Sequence, residues 1–205
     1  MKRIVIASVV AFFLAVAGAS AQPAGLTYVG IPTANFNFVA AAQQQDQWCW
    51  AASVQMILNW YGIGVTQDMI VARTKHILID QAGSDFDISN ALSGWAVTVN
   101  GQPVIIRSMA ARGLPTPAVL LSELNQGHPI LLTFATGMYS GHAVVITAAS
   151  YYPTNYGPQI FSLVLRDPWP SPDHIATSGR VEVAGVALSN FATIVRSHWL
   201  VSVSR

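Results

Sequence analysis

Between Trp50 and Tyr61 apolar side chains recur at the spacing of one helix face: Trp50, Val54, Ile57, Leu58 and Tyr61 stand at i, i+4, i+7, i+8 and i+11. Gly62 falls where a helix stop belongs. A second helical stretch is predicted from Thr66, its N-cap, with Asp68 in the first turn, to about His76. Gly83-Ser84 breaks the chain, and Asp87 is placed to cap a short helix through Leu92. Residues 96–107 alternate loosely around Asn100-Gly101 and predict a β-hairpin. Residues 116–126 read as a helix, with Pro117 in its first turn and Gly127 closing it.

The pattern then changes. Residues 130–136, 143–149 and 160–166 are rich in Val, Ile, Leu, Phe and Thr, are bounded by turn residues, and predict strands. Their short connections suit an antiparallel meander, and a last strand is predicted over 192–203. Residues 22–42, punctuated by Pro23, Gly25, Gly30 and Pro32, read as an extended surface lead-in. Helices first and strands afterwards predict an α+β domain over residues 22–205 rather than a doubly wound sheet.

Composition changes this picture at the N-terminus. The chain of 205 residues is 52% hydrophobic and only 9% charged. Part of the excess is a basic Met-Lys-Arg start, an apolar run, and an Ala19-Ser20-Ala21 cleavage pattern, which together predict a signal peptide over residues 1–21 with Gln22 as the mature N-terminus. Losing Lys2 and Arg3 takes the formal charge from +1 to −1. That balance offers no electrostatic case for nucleic acid or an anionic membrane. No later run is long and unbroken enough to span a bilayer, so no membrane association is expected after cleavage. Export places the protein in the periplasm or outside the cell.

The chain holds one cysteine, Cys49, at the start of the first predicted helix. A lone cysteine is often no more than a small buried hydrophobe. Here two features argue for chemistry. An unpaired thiol is a hazard in an exported protein, and a helix N-terminus is one of the few environments that favours thiolate, the reactive form of cysteine. A thiol nucleophile needs a base, a group to orient the base, and donors for the oxyanion. Of five histidines, His142 is the best placed for the base, because Ser140-Gly141-His142 runs directly into the apolar strand after it. His76 suits a helix C-terminus, His128 a strand entry before Pro129, His174 a Pro-rich loop and His198 the terminal strand. Asp167 directly follows the strand 160–166 and is the candidate orienting group, with Asp173 as the alternative. Gln43, six residues before Cys49, is the candidate oxyanion donor together with the Cys49 N–H, although Gln44, Gln45 and Gln47 compete for that role.

These pieces resemble the papain-like cysteine peptidases, in particular the compact bacterial branch that includes avirulence effectors and bacteriocin-leader peptidases. The matching residues are Gln43 followed by Cys49-Trp50-Ala51, then Gly141-His142-Ala143-Val144-Val145, then Asp167-Pro168-Trp169. The resemblance implies a papain-like fold, an N-terminal helical half with the cysteine at a helix N-terminus packed on a C-terminal antiparallel sheet. It implies a Cys49–His142–Asp167 triad working through a thioester, Gln43 in the oxyanion hole, and Trp169 shielding the base–acid hydrogen bond from water. The substrate would be a peptide or protein, and no cofactor is called for. The chain departs from the family in three respects. It has no second cysteine before Cys49, its histidine comes 93 residues after the nucleophile rather than the ~130–150 of papain and cathepsins, and Asp167 stands where the animal and plant enzymes carry Asn.

Two rival readings use the same residues: an amidase, peptidoglycan peptidase or acyltransferase with this triad, and an inactive papain-like binding module. A metal protein is disfavoured, since the cysteine and histidines show no paired-ligand spacing.

Overall fold

The apolar face read between Trp50 and Tyr61 is continuous in the structure, a computed structural model that describes residues 25–95, 97–99 and 101–204. The expected signal peptide, residues 1–21, lies outside the described residues, as do Gln22 and two positions of the expected hairpin, Ala96 and Asn100. In chain order the elements are β1 (Thr27–Gly30), α1 (Thr33–Asn37), α2 (Cys49–Trp60), α3 (Gln67–Lys75), α4 (Asp85–Ala91), β2 (Val97–Val99), β3 (Gln102–Arg112), α5 (Pro117–Asn125), β4 (Ile130–Ala135), β5 (Gly141–Thr154), β6 (Gly157–Arg166), α6 (His174–Thr177), β7 (Arg180–Ala184), α7 (Gly185–Ile194) and β8 (Val195–Ser204).

Local chemistry sets most helix ends. Gly62, at φ +81°, closes α2: its N–H donates to Asn59 O, and the N–H of Ile63 reaches back to Leu58 O at 2.9 Å. A side chain at Gly62 would strain this left-handed turn. Thr66 caps α3 by accepting from Met69 N, and Thr116 caps α5 by accepting from Val119 N. The cap of α4 corrects the expectation placed on Asp87. Ser84 is the N-cap, and Asp87 is its reciprocal partner three residues on, so the two form a capping box.

Among the described residues all strand pairings are antiparallel, and the eight strands run β2-β3-β8-β4-β5-β6-β7 with β1 beside β5. The expected meander is β4-β5-β6, extended by β7. The final strand does not join its end; it returns between β3 and β4. The sheet is covered on both faces, and period-2 alternation divides its side chains. Leu131, Ala143, Val145, Trp199 and Val201 pack with α2, α3 and α4. Ile130, Leu132, Val144, Ile146 and Leu165 pack with α5 and α7. This double burial explains why β5 reads as an unbroken apolar run.

Two other expectations are corrected. The region 192–203 is not all strand: residues through Ile194 finish α7, which seats Leu188 and Phe191 on the second core at helical spacing. Residues 22–42 are more than a surface lead-in. Within them β1 pairs with β5, and Phe36 of α1 is fully buried against Trp60, with 5.5 Å between ring centroids.

Candidate active site

Cys49 is the first residue of α2, so its backbone N–H has no acceptor within the helix. The helix is anchored by its own tryptophans. Trp50 is buried and donates through Nε1 to Gln81 O at 3.1 Å, while Trp48 donates to Ile79 O at 2.9 Å. The N–H of Gln47 donates to Asp80 Oδ1 at 2.8 Å. These three bonds bind the segment 79–81 along the start of α2. The next residues, Ala82 and Gly83, thereby form one wall of the cleft at Cys49. Gly83 has to be glycine for that approach, because a Cβ would lie 2.5 Å from the Trp50 ring.

The other wall comes from the sheet. His142 is the second residue of β5, opposite Phe134 of β4. Arg166, the last residue of β6, is registered with Val145, which carries the next residue, Asp167, to the level where β5 begins. There the Nε2–H of His142 donates to Asp167 Oδ1 at 2.7 Å. The same oxygen accepts from the backbone N–H of Trp169 at 2.8 Å. With Nε2 committed to the carboxylate, Nδ1 is the ring nitrogen left for the thiol.

The electrostatics follow from this placement. Burial alone would push the His142 imidazole toward neutrality. The hydrogen bond to Asp167, the charge of that carboxylate and the neighbouring Cys49 side chain outweigh burial and raise its pKa to about 9. Burial alone would raise the carboxyl of Asp167. The hydrogen bonds from His142 and Trp169, with the positive charges of His142 and His174, hold it below the usual carboxylate range. Two aromatic rings flank the imidazole edge to face: Phe134 at 5.6 Å between centroids and Trp169 at 6.3 Å. Trp169 is 54% exposed, so it is a surface cover rather than a core residue.

Gln43 is buried, and its position is fixed by its own N–H donating to Pro168 O at 2.8 Å. Its side-chain amide does not point a free donor at the thiol. Both Nε2 hydrogens are used, on Gln45 O at 3.0 Å and Asp46 O at 2.8 Å, and Oε1 is buried without a partner. The other candidate residues lie elsewhere. Asp173 stands at the start of α6 and makes no bond to His142. His128 pairs with Glu123, His198 Nδ1 bonds Gly113 O, and His76 ends α3 in a left-handed conformation.

Two connected cavities meet at Cys49 and His142. One is lined by Trp50, Gly83, Ile88, Phe134, Tyr139 and Arg196. The other is lined by Asp46, Gln47, Thr136, Ser140, Asp167 and Trp169. Gly83, Phe134 and Arg196 line the cleft without any signal in the sequence that marks them for it. Gly83-Ser84 reads only as a chain break, and nothing local distinguishes Arg196. Chemically, an imidazole held between a carboxylate and a thiol is able to take the thiol proton, and the cavities that Cys49 lines leave its side chain open to a substrate.

Comparison with known proteins agrees with this architecture. A family model described as the Peptidase_C39 like family matches residues 36–178. Among solved structures, the peptidase domain of Streptococcus ComA, a bi-functional ABC transporter involved in a quorum sensing pathway, aligns with a TM-score of 0.53 at 13% identity, over 79% of this chain and 96% of that one. UfSP from C. elegans aligns with a TM-score of 0.47 at 15% identity, over 91% of this chain and 36% of that one. No curated protein matches the chain. With seven-tenths of its length inside the family model and the fold of a papain-like peptidase domain, this chain belongs to the Peptidase_C39 like family and is a papain-like cysteine peptidase.

Proposed function

We propose that the protein is an exported peptidase that cleaves peptide bonds through Cys49, His142 and Asp167. The observation that carries this reading is the short Nε2–Oδ1 bond between His142 and Asp167, made by an imidazole whose remaining side meets the thiol at the start of α2. A ring with a pKa of about 9 is charged at neutral pH and supports an imidazolium–thiolate resting pair. The thiolate attacks the peptide carbonyl carbon and forms the carbon–sulfur bond. His142 gives its proton to the departing amine, leaving a thioester. The neutral imidazole then takes a proton from water, whose oxygen displaces the sulfur and releases the acid.

The Cys49 N–H, at the open end of α2, is the oxyanion donor best supported by the geometry. Gln43 joins it only if its amide gives up Gln45 O or Asp46 O when substrate binds. The signal-peptide pattern of residues 1–21 supports export. The test is hydrolysis of casein and of a peptide mixture at neutral pH by the mature protein and by Cys49→Ala. The proposal expects cleavage by the first and none by the second; cleavage by a purified Cys49→Ala protein contradicts it.

A further inference from the structure

The cleft contains a cationic side chain that the proposed triad does not use. Arg196 is the second residue of β8, and its side chain lines the cavity formed by Trp50, Gly83 and Phe134 beside Cys49 and His142. Its Nη2 donates to Ser140 O at 2.9 Å and Gly137 O at 3.4 Å, both in the β4–β5 loop that leads into His142. Its Nη1 lies against Gly141, where a Cβ would approach it to 3.1 Å. Glycine immediately before His142 thus gives the guanidinium room beside the base.

Arg196 is exposed, and among the described residues it forms no ion pair. Two neutral carbonyls hold the group in place through one nitrogen, and among the described residues the N–H groups of Nη1 and Nε have no protein acceptor. A guanidinium keeps its charge at any ordinary pH and matches a carboxylate with two parallel N–H groups. Being pre-positioned, it loses little side-chain freedom on binding. Asp85 lines the same cavity, but one of its oxygens already accepts from Ser197 Oγ at 2.7 Å, so it competes less for a charged ligand. The cavity measures about 170 Å³. That is below the roughly 300 Å³ at which small-molecule pockets begin, and it suits a single side chain.

We infer that Arg196 is a specificity-determining residue that binds an acidic side chain of the substrate close to the scissile bond. This rests on Cys49 and His142 being the catalytic pair. A carboxylate entering beside Phe134 would pair with the unused face of the guanidinium, while an amide of the same shape brings no charge to meet it.

The experiment is cleavage of a diverse synthetic peptide library by the mature wild-type protein, Arg196→Gln and Arg196→Glu, with the cut sites read by mass spectrometry. Matched Glu and Gln peptides taken from the best sites then give kcat/KM ratios. The expected result is enrichment of Asp and Glu at one position within three residues of the cut, and a Glu-over-Gln preference of about two- to fivefold. Arg196→Gln should erase that preference and Arg196→Glu should turn it toward Lys and Arg. No acidic enrichment, an acidic enrichment that persists in Arg196→Gln, or a wild-type preference for Lys and Arg through Asp85 each overturns the inference. Because the wild-type library is decisive by itself, poor folding of a variant does not remove the test. Alkylation of Cys49 by iodoacetamide, followed in parallel, separates the two levels. A reactive Cys49 without acidic selectivity removes only the subsite, whereas an inert Cys49 with no cleavage removes the parent mechanism and the subsite with it.

Discussion

The bond from His142 Nε2–H to Asp167 Oδ1, 2.7 Å long, joins the second residue of β5 to the residue just past the end of β6. It sets the charge state of the imidazole as well as its orientation. Replacing Asp167 with Asn keeps a hydrogen-bond acceptor but removes the negative charge that favours imidazolium. The alkaline limb of the kcat/KM profile, expected near pH 9 in the wild type, should move to lower pH in Asp167→Asn. A pH–rate series on both proteins checks this, and an unmoved alkaline limb would show that Asp167 does not govern the ring.

The same raised pKa has a consequence for stability. His142 binds its proton more tightly when folded than the value of about 6.5 expected in an unfolded chain. Its contribution is therefore fully present below about pH 6.5 and is lost as pH rises through about 9. Denaturant unfolding of the wild type should lose stability over that window, and His142→Ala should flatten the loss. Equal slopes in the two proteins would contradict the assignment.

Gly83 tests the packing of the cleft wall. A Cβ at this position meets the ring of Trp50 at 2.5 Å, and Trp50 is 1% exposed and cannot move aside. Gly83→Ala should destabilise the protein by about 1–3 kcal/mol through overpacking, read as a lower Tm. It should also weaken activity, since the same residue borders the cavity at Cys49.

Arg166 tests what holds Asp167 in place. It is fully buried and donates to Thr177 O, Ser178 O and Thr33 O, with Phe36 beneath its guanidinium at 5.5 Å. One side chain thus ties α1 and the end of α6 to the strand that delivers Asp167. Arg166→Ala leaves three carbonyls without this donor and should cost about 3 kcal/mol or more, measurable in chemical denaturation.

Trp169 separates shielding from packing. Its indole is exposed and meets His142 edge to face. Trp169→Ala should reduce kcat by about 2- to 10-fold, the range of an aromatic pair contact, with little change in Tm. A large fall in Tm would mark it instead as a core residue.

The sequence was most readable where local chemistry decides. The face from Trp50 to Tyr61, the stop at Gly62 and the β-branched run after His142 follow from periodicity and backbone preference, and all became the expected elements. Long-range closure was harder to see. The four residues of β1 acquire meaning only by pairing with Thr27↔Tyr151 and its neighbours on β5, and β8 enters between β3 and β4 because of packing rather than any local signal. No glycine or proline separates Ile194 from Val195, so the boundary between α7 and β8 was invisible in an apolar run. In the site, the start of a helix marks Cys49, a loop end before an apolar strand marks His142 and a strand end marks Asp167, while Gln43 stands out from Gln44, Gln45 and Gln47 only through the resemblance to papain-like peptidases. The two carbonyls that take the Gln43 amide, and the passage of Arg196 across Gly141, depend on loop conformations that residue order does not disclose.

Peptide cleavage by this protein requires that the His142 imidazole activate the Cys49 sulfur. Intact-protein and peptide mass spectrometry after treatment with an epoxide thiol reagent at neutral pH measures this directly. The prediction is one adduct per molecule, on Cys49, forming at least tenfold more slowly in a folded His142→Ala protein because the thiolate is no longer paired with an imidazolium. An unmodified Cys49 in folded wild-type protein, or the same labelling rate in both proteins, would contradict it.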